Sequence, residues 1–308
     1  MPALATHVLQ SGKCLEKIKP EIEEKEIEVN EDFADFLGAS AIAHDTLGLL
    51  LGTGYDRCFV NAHEKNTDAF FLAMIDFIKE NDLRNNADAM AFLYGQIMHY
   101  ALDTKTHPLI YYMTQCHPAK YLVSALDAHT LFEAWIDAEK EKEEKEKAEK
   151  EGKAFDPKFP FRKKVGEGAI DSLIDAVYEK VYAQKKAAFG YRCGIKIWKF
   201  YQFHLRSRML NHVKGYYPDF EGMLNPEGAP FQHPVTGDYL DTTFQQSYDA
   251  SIDLACELIM AVNANIYDHA GNEDLLKKGF GNSYDTGLAW DDPRPKQYFK
   301  QYPGHKGS

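Results

Sequence analysis

Residues 94–110 read YGQIMHYALDTKTHPLI. Ile97, Met98, Tyr100, Ala101 and Leu102 make the segment apolar on most sides, without the strict alternation that marks a half-buried strand. On a helix the polar exceptions His99, Asp103 and His107 fall four apart and project from nearly one face, each a turn above the last. Unpaired polar groups on such a helix would be costly, and imidazole and carboxylate are the ligands that borderline zinc accepts. The segment therefore reads as a helix carrying metal-competent side chains.

The helical period extends outward from it. Helices are expected over about 31–53, 67–80, 87–106, 122–150, 167–189, 193–213 and 241–268, and strand signals are scarce, so the fold class is all-α. Asn85 and Asn86 can cap the third helix, and Pro108 is expected to stop it. A charged run over 138–153, AEKEKEEKEKAEKEGK, reads as a solvated helix extension or mobile insertion held by Glu to Lys pairs. Pro and Gly interrupt 216–239 and the tail from about 271, which are expected to lack regular structure. The simplest organisation is a single domain over 1–308 with a charged insertion at about 138–164.

Composition sets outer limits. With 308 residues, 44% hydrophobic and 27% charged, the chain is globular and not disordered. Its 47 acidic against 35 basic residues give a formal charge of -12, which argues against a surface that grips duplex nucleic acid. Phosphates remain accessible to an acidic chain through metal ions. Five scattered cysteines without a CxxC pair suggest neither a disulfide framework nor a thiolate zinc knuckle, and point to a reducing compartment. No basic lead and apolar core open the chain, and no apolar run approaches the roughly 18 residues that span a bilayer. A cytoplasmic protein without a transmembrane segment is expected, with membrane contact at most peripheral.

A second pair follows: His129 and Glu133 in DAHTLFEAWID, at helical spacing, with Asp137 one turn further. Two helices that each offer an inward histidine and acid form the pattern of helix-bundle metal sites. Upstream stand His7 in ATHVL, the His44–Asp45 pair in AIAHDTLG and His63 in NAHEKN. Spacing alone leaves these three open between ligand, cap and core residue. His117, His204, His212, His233, His269 and His305 read as structural or exposed, and the aromatics of GIKIWKFYQF as core packing.

The ordered motifs TH, an Asp ending an apolar helix, HEK, HYALDTKTHP and HTLFE make residues 6–137 resemble the zinc-dependent phospholipase C family. LNPEGAPFQHPVTGDYLDTTFQQSYDAS and GNSYDTGL are similar, more loosely, to the C-terminal part of bacterial members. The resemblance implies an all-α multi-helix bundle with two to three Zn2+ ions in a central cleft, and hydrolysis of a phospholipid or other phosphodiester by zinc-activated water. It implies that His107, His129 and Glu133 hold one zinc. Asp45, His63, His99 and Asp103 hold a second, and Asp103 bridges to a third that His7 completes. Asp45 doubles as general base or orienter of the attacking water. Family members complete the third site with an N-terminal tryptophan, and none stands near His7 here. A nuclease of the same zinc fold and a noncatalytic metal-stabilised binding protein are the alternatives, with a His44–Asp45 dyad of the helical phosphohydrolase type as a third.

Overall fold

The structure is a computed structural model that describes residues 4–116, 125–155, 168–204 and 220–294. Its helices are α1 (Leu4–Glu24), α2 (Glu31–Thr46), α3 (Tyr55–Glu64), α4 (Thr67–Glu80), α5 (Ala87–Cys116), α6 (Ala125–Lys150), α7 (Ala169–Tyr182), α8 (Ala187–His204), α9 (Phe244–Tyr267) and α10 (Glu273–Gly279). A 3-10 turn at Leu47–Leu49 extends α2, and Phe220–Met223 form one further helical turn. Among the described residues the only strands are Phe231–Gln232 and Tyr239–Leu240, paired antiparallel. The fold is all-α. No described helix is long and apolar enough to cross a membrane.

α5 is the spine. Asn86 caps it by accepting the Ala89 N–H at 3.0 Å, and Met90, Phe92, Leu93, Ile97 and Met98 are buried along it. α2 crosses α5 at Gly95, where an added Cβ would lie 2.6 Å from Ser40 Cβ and 2.8 Å from the Leu37 carbonyl. That crossing brings the C-terminal end of α2 beside the second half of α5. α9 packs along the same spine and fixes it with a 2.6 Å hydrogen bond from the Tyr94 hydroxyl to Asn263. Thr243 and Gln246 form a reciprocal capping box at the start of α9.

Several boundaries depart from the sequence reading. Pro108 does not stop α5, which runs on to Cys116. Proline removes the donor that the Thr104 carbonyl would otherwise receive. Gly287 (φ +66°) approaches that carbonyl so closely that a Cβ would lie 2.5 Å from the oxygen. The tail is not wholly irregular either, since it contains α10 and a bridge between Asn282 and Ala289. α1 and α3 were not anticipated. The break between α7 and α8 falls at 183–186, where Ala183 and Lys186 adopt positive φ, and not at the expected 190–192. Gly190 and Gly194 lie within α8 because a Cβ at either would meet Tyr55 or Thr46 at 2.5 and 2.4 Å. In GIKIWKFYQF, Ile195 and Trp198 are buried as expected, whereas Ile197 and Phe200 face outward.

The charged run continues α6 as a helix, and its first turns are docked. Lys140 is buried, 2.6 Å from Gln245 and 5.2 Å from the centre of the Tyr248 ring, while Glu144 pairs with Lys13 on α1 at 2.8 Å. Residues 156–164 of the expected insertion, the segment 205–213, His117, His212, His305 and the His204 side chain lie outside the described residues.

Asp137 is an anchor for α1. Its carboxylate accepts the Ala5 and Thr6 N–H groups at 3.1 and 2.8 Å and the Thr6 hydroxyl at 2.7 Å. These are orphan donors of a helix's first turn, one residue before His7. Burial, reinforced by Glu141, pushes the Asp137 carboxyl up to about 7 while the Thr6 bonds pull it down. Asp137→Ala is expected to cost about 1–3 kcal/mol, because it strands buried donors. Thermal denaturation checks this, and a loss under half a kcal/mol by that measure would show that the contacts are dispensable.

Candidate metal centre

Eight side chains from five helices meet in one buried cluster, and six of them line a cavity. α1 contributes His7; α2, Asp45; α3, His63; α5, His99, Asp103 and His107; and α6, His129 and Glu133. All eight are buried. Their ligand atoms form two groups, Asp45–His63–His99–Asp103 and His107–His129–Glu133, each with one atom per residue within 4.8 Å of the others.

In the first group His63 Nε2 lies 3.1 Å from Asp45 Oδ1 and 3.6 Å from Asp103 Oδ2. His99 Nε2 lies 3.5 and 3.3 Å from the same two oxygens. In the second, Glu133 Oε1 is 2.9 Å from His129 Nε2 and 3.3 Å from His107 Nε2. Asp103 joins the two: its Oδ1 stands 3.7 Å from His107 Nε2 and 3.2 Å from His7 Nε2. His7 Nε2 is also 3.8 Å from Asp45 Oδ2, and its ring stacks on that of His99.

The backbone sets the direction of three imidazoles. Nδ1 of His63, His99 and His107 donates to the carbonyls of Phe59, Ala41 and Tyr284 at 2.8, 2.9 and 3.0 Å. In the neutral rings this leaves the Nε2 lone pairs facing inward, the orientation of metal-binding histidines. His63 Nε2 and His99 Nε2 then stand 3.4 Å apart with two carboxylates beside them. Converging lone pairs and negative oxygens repel unless a cation lies among them. The mixed nitrogen and oxygen donor set fits zinc, whereas calcium and magnesium favour oxygen alone.

Metal-free, protons take the cation's place. Burial would lower the His63 and His107 imidazoles, but Asp103 and Asp45 raise His63 to about 10, and Asp103 and Glu133 raise His107 to about 9. Burial, opposed by Asp45 and aided by His7, lowers His99 to about 4. Burial alone would raise the Asp45 and Asp103 carboxyls, and the surrounding imidazoles hold both below the usual range. His63 and His107 are raised above an unfolded value of about 6.5, so their stabilisation is complete below that pH and is lost as pH climbs through 9 and 10. Chelator-treated protein is therefore expected to melt several degrees lower at pH 10 than near pH 6.5, and zinc added at pH 7.5 is expected to release protons. A metal-free melting point that holds or rises over that alkaline range would refute the proton occupancy.

His44 packs against the cluster, its ring centre 4.8 Å from that of His63 and 5.9 Å from that of His99, but its nitrogens are engaged elsewhere. Gln96 gives its amide N–H to the Ser40 carbonyl, so its oxygen accepts from His44 Nδ1 at 3.1 Å, and the Tyr178 hydroxyl reaches His44 Nε2 at 3.3 Å. Both ring nitrogens are engaged, and burial holds the imidazole well below its usual pKa. A His44–Asp45 metal dyad does not fit this arrangement. His233 is structural, bound to the Thr286 carbonyl, and His269 is exposed, both as expected.

The cavity above the cluster measures about 640 Å³. Asp45, His63, Asp103, His107, His129 and Glu133 line its floor, and Leu51, Arg57, Phe59, Val60, Tyr111 and Asp285 its wall. The sequence reading missed Tyr284 and Asp285. The Tyr284 N–H donates to the His63 carbonyl while its own carbonyl holds His107, and Asp285 Oδ1 stands 4.0 Å from His107 Nδ1. Only the GNSYDTGL similarity pointed toward them. Tyr111 and Phe59 could have been found from their spacing, each one helical turn from a site histidine.

A family model described as zinc dependent phospholipase C matches residues 5–188, more than half of the chain and all eight clustered residues. Neither a curated protein nor a solved structure matches it. A match of that extent, to a chain whose all-α fold gathers histidines and acids into buried zinc-competent groups, places the protein in the zinc-dependent phospholipase C family.

Proposed function

We propose that the protein hydrolyses a phosphodiester of the phospholipid type, with His107, His129 and Glu133 holding one zinc ion, Asp45, His63, His99 and Asp103 a second, and Asp103 with His7 a third. The observation that carries this reading is the pair of buried ligand groups, Asp103 of the first standing 3.7 Å from His107 of the second, at the floor of a cavity. When bound, zinc lowers the pKa of water to about 7 and offsets charge on phosphoryl oxygens.

The chain's own groups supply positioning and proton transfer. Asp45 is ionised at neutral pH, and its Oδ2, 3.8 Å from His7 Nε2, is less engaged than Oδ1. That oxygen takes the proton of the attacking water. Leu51, Phe59 and Val60 give the cavity an apolar wall. A volume of this size suits a headgroup with its phosphate and glycerol.

Assay of purified protein on phosphatidylcholine, bis-p-nitrophenyl phosphate and single-stranded DNA, with zinc and with chelator, tests the proposal. Zinc-dependent turnover of the first two is expected, without DNA cleavage. Asp45→Asn should lower turnover by about 10²–10⁴-fold. Hydrolysis undiminished by chelator, or a nuclease rate above the lipid rate, overturns the reading. A full-rate Asp45→Asn enzyme removes Asp45 as the base.

A further inference from the structure

Four large apolar side chains are exposed on neighbouring elements beside the cavity mouth: Leu51 (80%), Val60 (44%), Phe189 (52%) and Ile197 (41%). Single exposed apolar residues are ordinary on any surface, but grouped ones mark contact sites. Leu51 and Val60 line the cavity itself. The ring of Tyr55, at the start of α3, lies 6.4 Å from that of Phe189, and a Cβ at Gly190 would stand 2.5 Å from Tyr55. The N-terminal half of α8 is thus pressed against the elements that form the cavity rim. Ile197 follows Phe189 two turns later, on the face that Gly190, Tyr191, Gly194 and Trp198 do not bury.

The charge of this stretch is opposite to that of the molecule. From Lys180 to His204 the chain has six lysines and arginines and no acid, although the whole carries -12. Lys186 and Lys196 are exposed around Phe189 and Ile197, while Lys180 and Lys185 pair with Asp76 and Glu179 at 3.3 Å. Arg192 is committed to Asp171, and Asp175 to the Ala188 N–H. A helix with aromatic and aliphatic residues on one exposed side and lysines flanking them has the composition of an interfacial element that lies on anionic lipid.

We propose that the exposed face of α8, continuous with the Leu51–Val60 rim, docks the protein on the anionic surface of a lipid bilayer and sets the cavity mouth against the headgroups. The proposal rests on the phospholipid reading of the site and names how that substrate is reached: the headgroup enters the cavity while the acyl chains stay in the bilayer. Phe189 and Ile197 insert among the headgroups, and the lysines provide the electrostatic part of the attraction.

Co-sedimentation with vesicles of pure phosphatidylcholine and of phosphatidylcholine mixed with phosphatidylserine tests docking independently of hydrolysis, using chelator-treated protein. Wild-type protein is expected to pellet with the mixed vesicles and to be released by salt. Lys186→Glu with Lys196→Glu, and separately Phe189→Ser with Ile197→Ser, should each weaken binding by about tenfold or more. Both should leave turnover of soluble bis-p-nitrophenyl phosphate and the melting temperature unchanged, since these side chains are exposed. Wild-type protein that stays in the supernatant, alone or self-associated through this face, overturns the docking, as do variants that pellet like wild type. Failure of the hydrolytic reading shows differently, as vesicle binding without turnover of any phosphodiester.

Discussion

Asp103→Asn is expected to cut zinc content to at most the one ion proposed for His107, His129 and Glu133, and to lower turnover at least about 10³-fold. The substitution keeps the shape of the side chain and removes its charge, so the effect isolates electrostatics. Asp103 is 3% exposed, and the Nε2 atoms of His7, His63, His99 and His107 all lie within 4 Å of its oxygens. No other carboxylate in the cluster touches both groups of ligands. In the metal-free protein, removing one partner from so buried a set of charges should cost about 3–5 kcal/mol. Elemental analysis and chelator-treated melting curves measure the two effects separately. A variant that retains its full complement of zinc would end the bridging assignment.

Gly95→Ala is expected to destabilise by about 2–3 kcal/mol and to lower the melting temperature by roughly 3–5 °C. Helix propensity alone predicts a gain of about 1 kcal/mol from alanine. Sterics win, because the new Cβ would sit 2.6 Å from Ser40 Cβ, 2.8 Å from the Leu37 carbonyl and 2.9 Å from the Ala41 nitrogen. Two of those neighbours are backbone atoms of a buried helix and cannot turn aside. The same displacement of α2 pulls at the Ala41 carbonyl that orients His99, so zinc affinity should fall about 10–100-fold. Gly12→Ala on α1 is the control: its Cβ meets nothing within 4 Å, and a gain of about 0.5–1 kcal/mol is expected. If both variants are equally stable, the close crossing of α2 and α5 is not what holds the site.

Helical periodicity revealed the elements with strong apolar stripes and clear caps, such as α4 and α9. It failed where local signals and tertiary needs diverge. The chain is expected to break at 190–192, yet Gly190 serves close approach inside α8. Pro108 looks like a stop, yet α5 continues because the side chains beyond it, Leu109, Ile110 and Met113, are buried. Within the candidate site, His99, Asp103, His107, His129 and Glu133 were legible because helical spacing lines them up on two helices. His7, Asp45 and His63 became legible only through the ordered family motifs, since no local rule brings three separated segments together. Tyr284 and Asp285 remained hidden for the same reason, as their contacts with residues near 63 and 107 are entirely long-range.

The clasp that Tyr284 makes on His63 and His107, with Gly287 against Thr104, orders events during synthesis. A ribosome releases the N-terminal helices first, and they can begin to pack while the rest of the chain is still being made. Until Tyr284 emerges, the His107 imidazole lacks the carbonyl that orients it, and the His63 backbone carbonyl lacks its long-range donor.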